Sequence, residues 1–421
     1  MKSVSRFALA VALVVGGGAV VATSAAEAKK AQPAAPAAAA NQRQFKLSKE
    51  ERAALEPVQK AVTAKDWPTA SAALAAGDAA AKSGDARYVL GYLQLQIGLG
   101  TNDEAMQARG IDTIIGSGTV PAADLPQLVQ NQAALALRAQ PVNQQKAEAA
   151  FTRLTELTPN DPEAFVNLAK LKNDMHKPQE AVALLDRAIQ IKKASGQTVD
   201  SSWYRYALKL AYDGHMAPQA LKISRDLIAA YPTKENWRDG LLIYRDLVNL
   251  DKTANIDLLR LARTAGALNG ERDWFELAEA LDNAGLPGEA QATLQQGSAA
   301  KMVDLNKPAF RDLMRSATGR IAADRASLGA SETKAMSSAT GTLALNTADA
   351  YFGYGDYPKA IALYRTALSK GGVDANVVNL RLGMALAQSG SRAEAETAFH
   401  SVTGPRSDIA AFWLTWLSQR A

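Results

Sequence analysis

The chain predicts an all-α fold, an α-solenoid built from antiparallel helix pairs. Apolar residues recur at three- and four-residue spacing nearly to the end, which places them on single helix faces. Small and large residues take turns at the predicted contact positions, and the pattern returns about every 34 residues. No alternating run reads as a strand. The clearest instance is Glu271–Gly297. Trp274, Leu277, Ala278 and Leu281 share one face, Gly285 breaks the run, and Ala290, Leu294 and Gly297 open a second face.

The pairs follow in order. The first is expected at Ser48–Ala64 and Pro68–Lys82, with Lys65-Asp66-Trp67 as its corner. The second begins near Asp85, packs through Leu90-Gly91, and has a lengthened corner at Gly98-Leu99-Gly100-Thr101-Asn102. The third follows Leu125 and ends before Pro159. The fourth, Pro162 to Lys193, packs through Phe165, Leu168 and Ala169 on one helix and Ala181, Leu185 and Ala188 on the other. The fifth carries Trp203, Tyr206, Ala207 and Leu210, then Ala220 and Leu227. The sixth starts near Lys234 with Trp237, Leu241 and Tyr244, and Glu271–Gly297 is the seventh. These make an array over 46–301. From 302 to 340 the helices continue but the pattern degrades, which marks a divergent unit, an insertion or a joint. The pattern resumes over 341–405, and 406–421 forms a last helix that covers the open apolar end.

Composition bounds the chemistry. In 421 residues, 48% are apolar and only 6% aromatic, which favours close helix packing over β-sandwich cores. There is no cysteine, so disulfides, thiolate catalysis and cysteine-bound zinc are excluded. The three histidines, His176, His215 and His400, have no partner at metal-ligand spacing. No nucleophile elbow, zinc-protease motif or P-loop occurs, so neither an enzyme nor a cofactor or metal is expected. The adjacent carboxylates Glu50-Glu51 and Asp103-Glu104 are expected to be solvated helix faces.

The N-terminus has the form of an export signal over 1–28. Lys2 and Arg6 precede an apolar run from Phe7 to Ala22, and Ala26-Glu27-Ala28 places a cut before Lys29. The run falls short of the ~20 residues of a spanning helix. Cleavage would give a periplasmic or secreted protein; an uncleaved leader would give an N-terminal membrane anchor. Loss of the leader removes two basic residues and one acid, taking the formal charge from +5 to +4. That mild balance does not point to nucleic acid. Residues 29–45 are an Ala/Pro-rich tether.

The quoted residues resemble the tetratricopeptide repeat. The stretches YFGYGDYPKAIALYRTAL, from Tyr351 to Leu368, and LGMALAQSGSRAEAETAF, from Leu382 to Phe399, are closest to its pattern. The resemblance covers most of 46–405. It implies a right-handed superhelix whose first helices line a concave groove, and a protein that holds other proteins or extended peptides without transforming them. By that resemblance the groove candidates are Asn167 and Lys170, then Tyr204, Arg205 and Tyr212, then Arg238 and Arg245, then Phe275. Leu208, Asp239 and Leu242 fall at the same kind of position. The subtype that clamps a C-terminal carboxylate is rejected, because Gln132, Ala136 and Ser201 replace most of its cations. The tryptophans at 203, 237 and 274 occupy the core aromatic position, and Trp413 and Trp416 belong to the final cap. The expected partners are envelope proteins or an extended peptide. Two rivals remain: a glycan-binding accessory protein with exposed groove aromatics, and an enzyme with its site in 302–338.

Overall fold

A computed structural model describes residues 43–420, which form two compact units divided after Ile191. The expected leader at 1–28 and most of the tether lie outside the described residues. Among the described residues there are twenty α-helices, one 3₁₀ turn and no strand. None of these helices is long and apolar enough to cross a membrane.

The first unit holds α1 (Lys49–Thr63), α2 (Trp67–Ala80), α3 (Gly84–Thr101), α4 (Glu104–Gly116), α5 (Leu125–Arg138), α6 (Gln144–Leu157), α7 (Pro162–Asp174) and most of α8 (Pro178–Ala194). Helix starts are written in the sequence. Ser48, Asp66, Ser83, Asp103 and Asn143 each accept a backbone N–H of the first turn. Glu51 does more than close a capping box with Ser48. Its buried carboxylate also accepts the Lys82 and Ser83 backbone N–H groups at 3.1 and 2.7 Å, tying the start of α1 to the start of α3. Glu51 is therefore not a solvated face residue. Burial pushes its pKa up, but these donors outweigh that and the net direction is down. Asp103 caps α4, and Glu104 pairs with Arg138 at 2.8 Å.

The expected long corner at 98–102 is helix. α3 runs to Thr101 and the turn is made by Asn102, at φ 57°. Gly98 and Gly100 serve contact rather than turning: a Cβ on Gly100 would lie 2.4 Å from the Trp67 ring. Gly91 and Gly110 do the same where α3 crosses α4, with a Gly91 Cβ 2.7 Å from the Gly110 carbonyl oxygen.

The second unit continues with α9 (Ser201–Asp213), α10 (Ala217–Ala230), α11 (Lys234–Leu247), α12 (Lys252–Thr264), α13 (Glu271–Asn283) and α14 (Pro287–Ala299). Residues 308–337 are one continuous helix, α15 (Pro308–Ser337). Then come α16 (Thr342–Gly353), α17 (Tyr357–Lys370), α18 (Ala375–Gln388), α19 (Arg392–His400), a 3₁₀ turn at Gly404–Arg406 and α20 (Ser407–Ser418). Successive helices pack as antiparallel hairpins, with Ala278, Ala290, Ala348, Ala360, Ala367 and Ala395 fully buried at the contacts.

The sixth pair breaks this rule. α11 and α12 touch little, and Val248 leaves α11 in an extended conformation. α12 lies instead inside the unit and is buried from Ala254 to Ala262, apart from a half-buried Asn255. Its Asp257 accepts Arg260 at 3.0 Å, Arg381 of α18 at 3.1 Å and Arg406 at 3.5 Å. Arg260 also forks onto Glu289 of α14 at 2.6 Å, and Arg381 reaches Asp349 of α16 at 2.6 Å. Buried charges persist only when paired this fully.

α20 covers more than the last repeat. It packs on α19 and also on α10 and α12. Phe412 lies between Trp237 and Tyr244, with ring centroids 6.4 and 5.9 Å away. Gln419 accepts the Trp237 indole N–H at 3.2 Å and donates to the Ile228 carbonyl at 3.0 Å. Trp413 is buried between Trp416 and Phe399, with ring centroids 5.4 and 5.7 Å away. The second unit thus closes on itself, last helix against early helices.

Candidate functional site

The groove candidates separate once placed. Asn167 and Lys170 lie on α7 of the first unit, half-buried and exposed respectively. Tyr204 does not face a groove. It is 1% exposed, its ring edge-on to Tyr231 at 6.5 Å, so it belongs to the core of the second unit. One position on, the α-helix turns by about 100°, and Arg205 faces out.

Arg205, Leu208, Lys209 and Tyr212 then line one side of an open groove, at positions i, i+3, i+4 and i+7 of α9. Asp239, Leu242 and Ile243 of α11 line the other side, and Ser224 and Leu227 of α10 form the floor. The space is about 420 Å³. Its walls are mostly apolar, and Leu242 is 40% exposed. Arg205 donates to Asn236 Oδ1 at 2.8 Å and makes no ion pair among the described residues. The Tyr212 hydroxyl donates to Asp246 at 2.5 Å, and this hydrogen bond holds its pKa above the ordinary phenol value. The Ser224 hydroxyl is buried without a hydrogen-bond partner. An apolar trough with a guanidinium at its rim that is hydrogen-bonded but not ion-paired suits a side chain followed by an acceptor, the form of a peptide.

The other candidates lie on the far side of α11. Arg245 reaches Glu276 at 2.5 Å, and Arg238 approaches Asp273 at 3.7 Å. Phe275 packs edge-on against Phe310 of α15 at 5.3 Å. These three tie α11 to α13 and α13 to α15. Sequence spacing alone missed Lys209, Ser224, Leu227 and Ile243; the i, i+3, i+4, i+7 pattern on α9 was the available signal. His176 and His215 are exposed corner residues at φ 58° and 53°, and His400 is exposed at the end of α19. Among the described residues no three His, Cys, Asp or Glu side chains form a metal-holding group.

No protein-family model matches the chain, and no curated protein matches it. Solved structures resemble it loosely. A tetratricopeptide repeat protein from Parabacteroides merdae is 13% identical, with 64% of this chain and 100% of that one covered and a TM-score of 0.29. The pilF protein of Pseudomonas aeruginosa is 14% identical over 62% of this chain and 96% of its own, at 0.24. The TPR domain of P58(IPK) is 14% identical over 81% and 98%, at 0.22. Superpositions this loose carry no argument about ligand or assembly. The repeat is visible in the chain itself. Helix hairpins meet through alanines, and Gly285, Gly355 and Gly390 turn their corners at φ 77°, 77° and 84°. By that packing the chain is an all-α solenoid of antiparallel helix pairs.

Proposed function

We propose that the chain is a non-enzymatic scaffold of the cell envelope that binds an extended segment of a partner protein in the groove between α9 and α11. The observation that carries this reading is the shape of the second unit. Its interior is occupied by its own α12 and α20, while the α9–α11 trough stays open, apolar and rimmed by Arg205, which is hydrogen-bonded to Asn236 but makes no ion pair among the described residues. The location rests on the leader at 1–28, and the mature N-terminus measured by mass spectrometry tests it.

Binding would come from Leu242 and Leu208 as apolar contacts and Arg205 as the polar anchor. Pull-downs from envelope extract with Leu242→Asp and Arg205→Glu test the groove. Each variant is expected to weaken capture of the partner by about tenfold or more, the scale of an interface anchor. Both sites are surface positions, so circular dichroism should be unchanged. Retention of the same partner set at wild-type levels by both variants would reject the groove.

A further inference from the structure

The second unit contains another space with different chemistry. A cavity of about 430 Å³ lies between α12, α15, α16 and α18. Ile256, Leu286 and Leu328 give it apolar walls, and charged groups converge from four helices: Arg260, Asp324, Asp349 and Arg381. It is separate from the α9–α11 groove and shares no lining residue with it.

Two groups in it have unused bonding capacity. Asp324 of α15 is half-buried and accepts the Tyr354 hydroxyl through Oδ2 at 2.5 Å. Its other oxygen has no partner, and no cationic side chain pairs with it among the described residues. The adjacent Arg325 is turned onto the Tyr354 ring at 4.3 Å. Opposite, Arg381 of α18 is 8% exposed. Its Nε is held by Asp257 and its Nη1 by Asp349, no hydrogen bond from Nη2 is present among the described residues, and Arg381 lines the cavity. Asn346 and Ser327, both exposed, stand at the mouth between α16 and α15.

A carboxylate without a cation and a guanidinium edge without an acceptor thus line one half-open space. A ligand carrying both charges would meet the two groups at once with charge-assisted hydrogen bonds. We propose that this cavity binds a small zwitterion, an α-amino acid or short peptide, with its ammonium on Asp324 and its carboxylate on Arg381 Nη2. The apolar walls would take its side chain, and Asn346 and Ser327 would admit it. This inference is independent of the groove: failure of one leaves the other standing.

Isothermal titration of the full chain tests it. The probes are L-alanine, L-leucine, L-serine and L-alanyl-L-alanine, each beside its N-acetyl and C-terminal amide forms. At least one free zwitterion is expected to bind one to one with a Kd below about 1 mM. Blocking either end should weaken it at least tenfold, and so should Asp324→Asn. Asn346→Leu, which narrows the mouth without touching a charge, should weaken all probes together. If Asp324→Asn fails to fold, the blocked ligands still decide the matter. Absence of heat from every zwitterion at about 10 mM, or equal binding of the N-acetyl forms, would overturn the assignment. If Asp324 serves only to hold Tyr354, its substitution changes thermal stability and leaves titrations unaltered.

Discussion

Asp257 is the residue on which the second unit turns. It is fully buried and faces three guanidinium groups, those of Arg260, Arg381 and Arg406, two of them more than 120 positions away in the chain. Removing its charge leaves those cations inside without their shared acceptor. Asp257→Ala is therefore expected to cost about 3–5 kcal/mol, read as a shift in the denaturant midpoint at constant slope. Glu289, also buried, adds a pH signature. Burial alone would raise its pKa, but Arg260 and Arg263 overcome that and the net direction is down. A carboxylate lowered on folding contributes stability that is present above its unfolded pKa of about 4.3. That contribution drains as pH falls through the lower folded value. Thermal melts from pH 7 to pH 3 should show a steep acid loss, and Glu289→Gln should flatten it while lowering stability at pH 7. At the corners the effect runs the other way. His176 and His215 hold a left-handed conformation, at φ 58° and 53°, that costs an L-residue about 1–2 kcal/mol. His215→Gly should stabilise by a few tenths to about 1 kcal/mol, since glycine's greater chain entropy offsets part of the relief.

At the scale of the element, most helices were legible because their periodicity, caps and corners agree. Ser48 announces the start of α1, and Gly285 announces a corner, as the structure has them. Two kinds of element were not. The 98–102 stretch looked like a turn because glycine is ambiguous: it permits a left-handed turn, and it also permits two backbones to touch. Only the position of Trp67 and α4 distinguishes the cases. Gly91→Val tests the close-contact reading at the same crossing, where a Cβ would meet the Gly110 carbonyl at 2.7 Å. Overpacking there should cost about 1–3 kcal/mol in thermal or urea unfolding. The other hidden element is α12. Its sequence, KTANIDLLRLART, reads as an ordinary amphipathic helix with charged residues facing water. Its surroundings come from α14, α18 and the 3₁₀ turn, all distant in sequence, and no local signal encodes them. The candidate site divides in the same way. Arg205, Leu208 and Tyr212 were placed on one helix by the repeat resemblance, whereas Ser224 and Leu227 come from a second helix and needed the fold. Tyr204 was misplaced by a single helical step.

The second unit as a whole is a solenoid whose last helix returns to its early helices. The inward faces that a repeat array ordinarily offers to ligands are spent on α12 and α20, through Phe412, Trp413, Arg381 and Arg406. The α9–α11 trough, proposed above for a partner, and the polar cavity by Asp324 and Arg381 are two of the spaces that this packing leaves open. The lack of cysteine in the chain allows a clean test of this closure. Arg225 of α10 and Asp408 of α20 form a partly exposed ion pair at 3.0 Å. In the double variant Arg225→Cys, Asp408→Cys, a short bis-maleimide should give an intramolecular crosslink in the monomer, at a rate independent of protein concentration. Crosslinks that form only between molecules, or none at all while both thiols remain reactive, would contradict the closed unit.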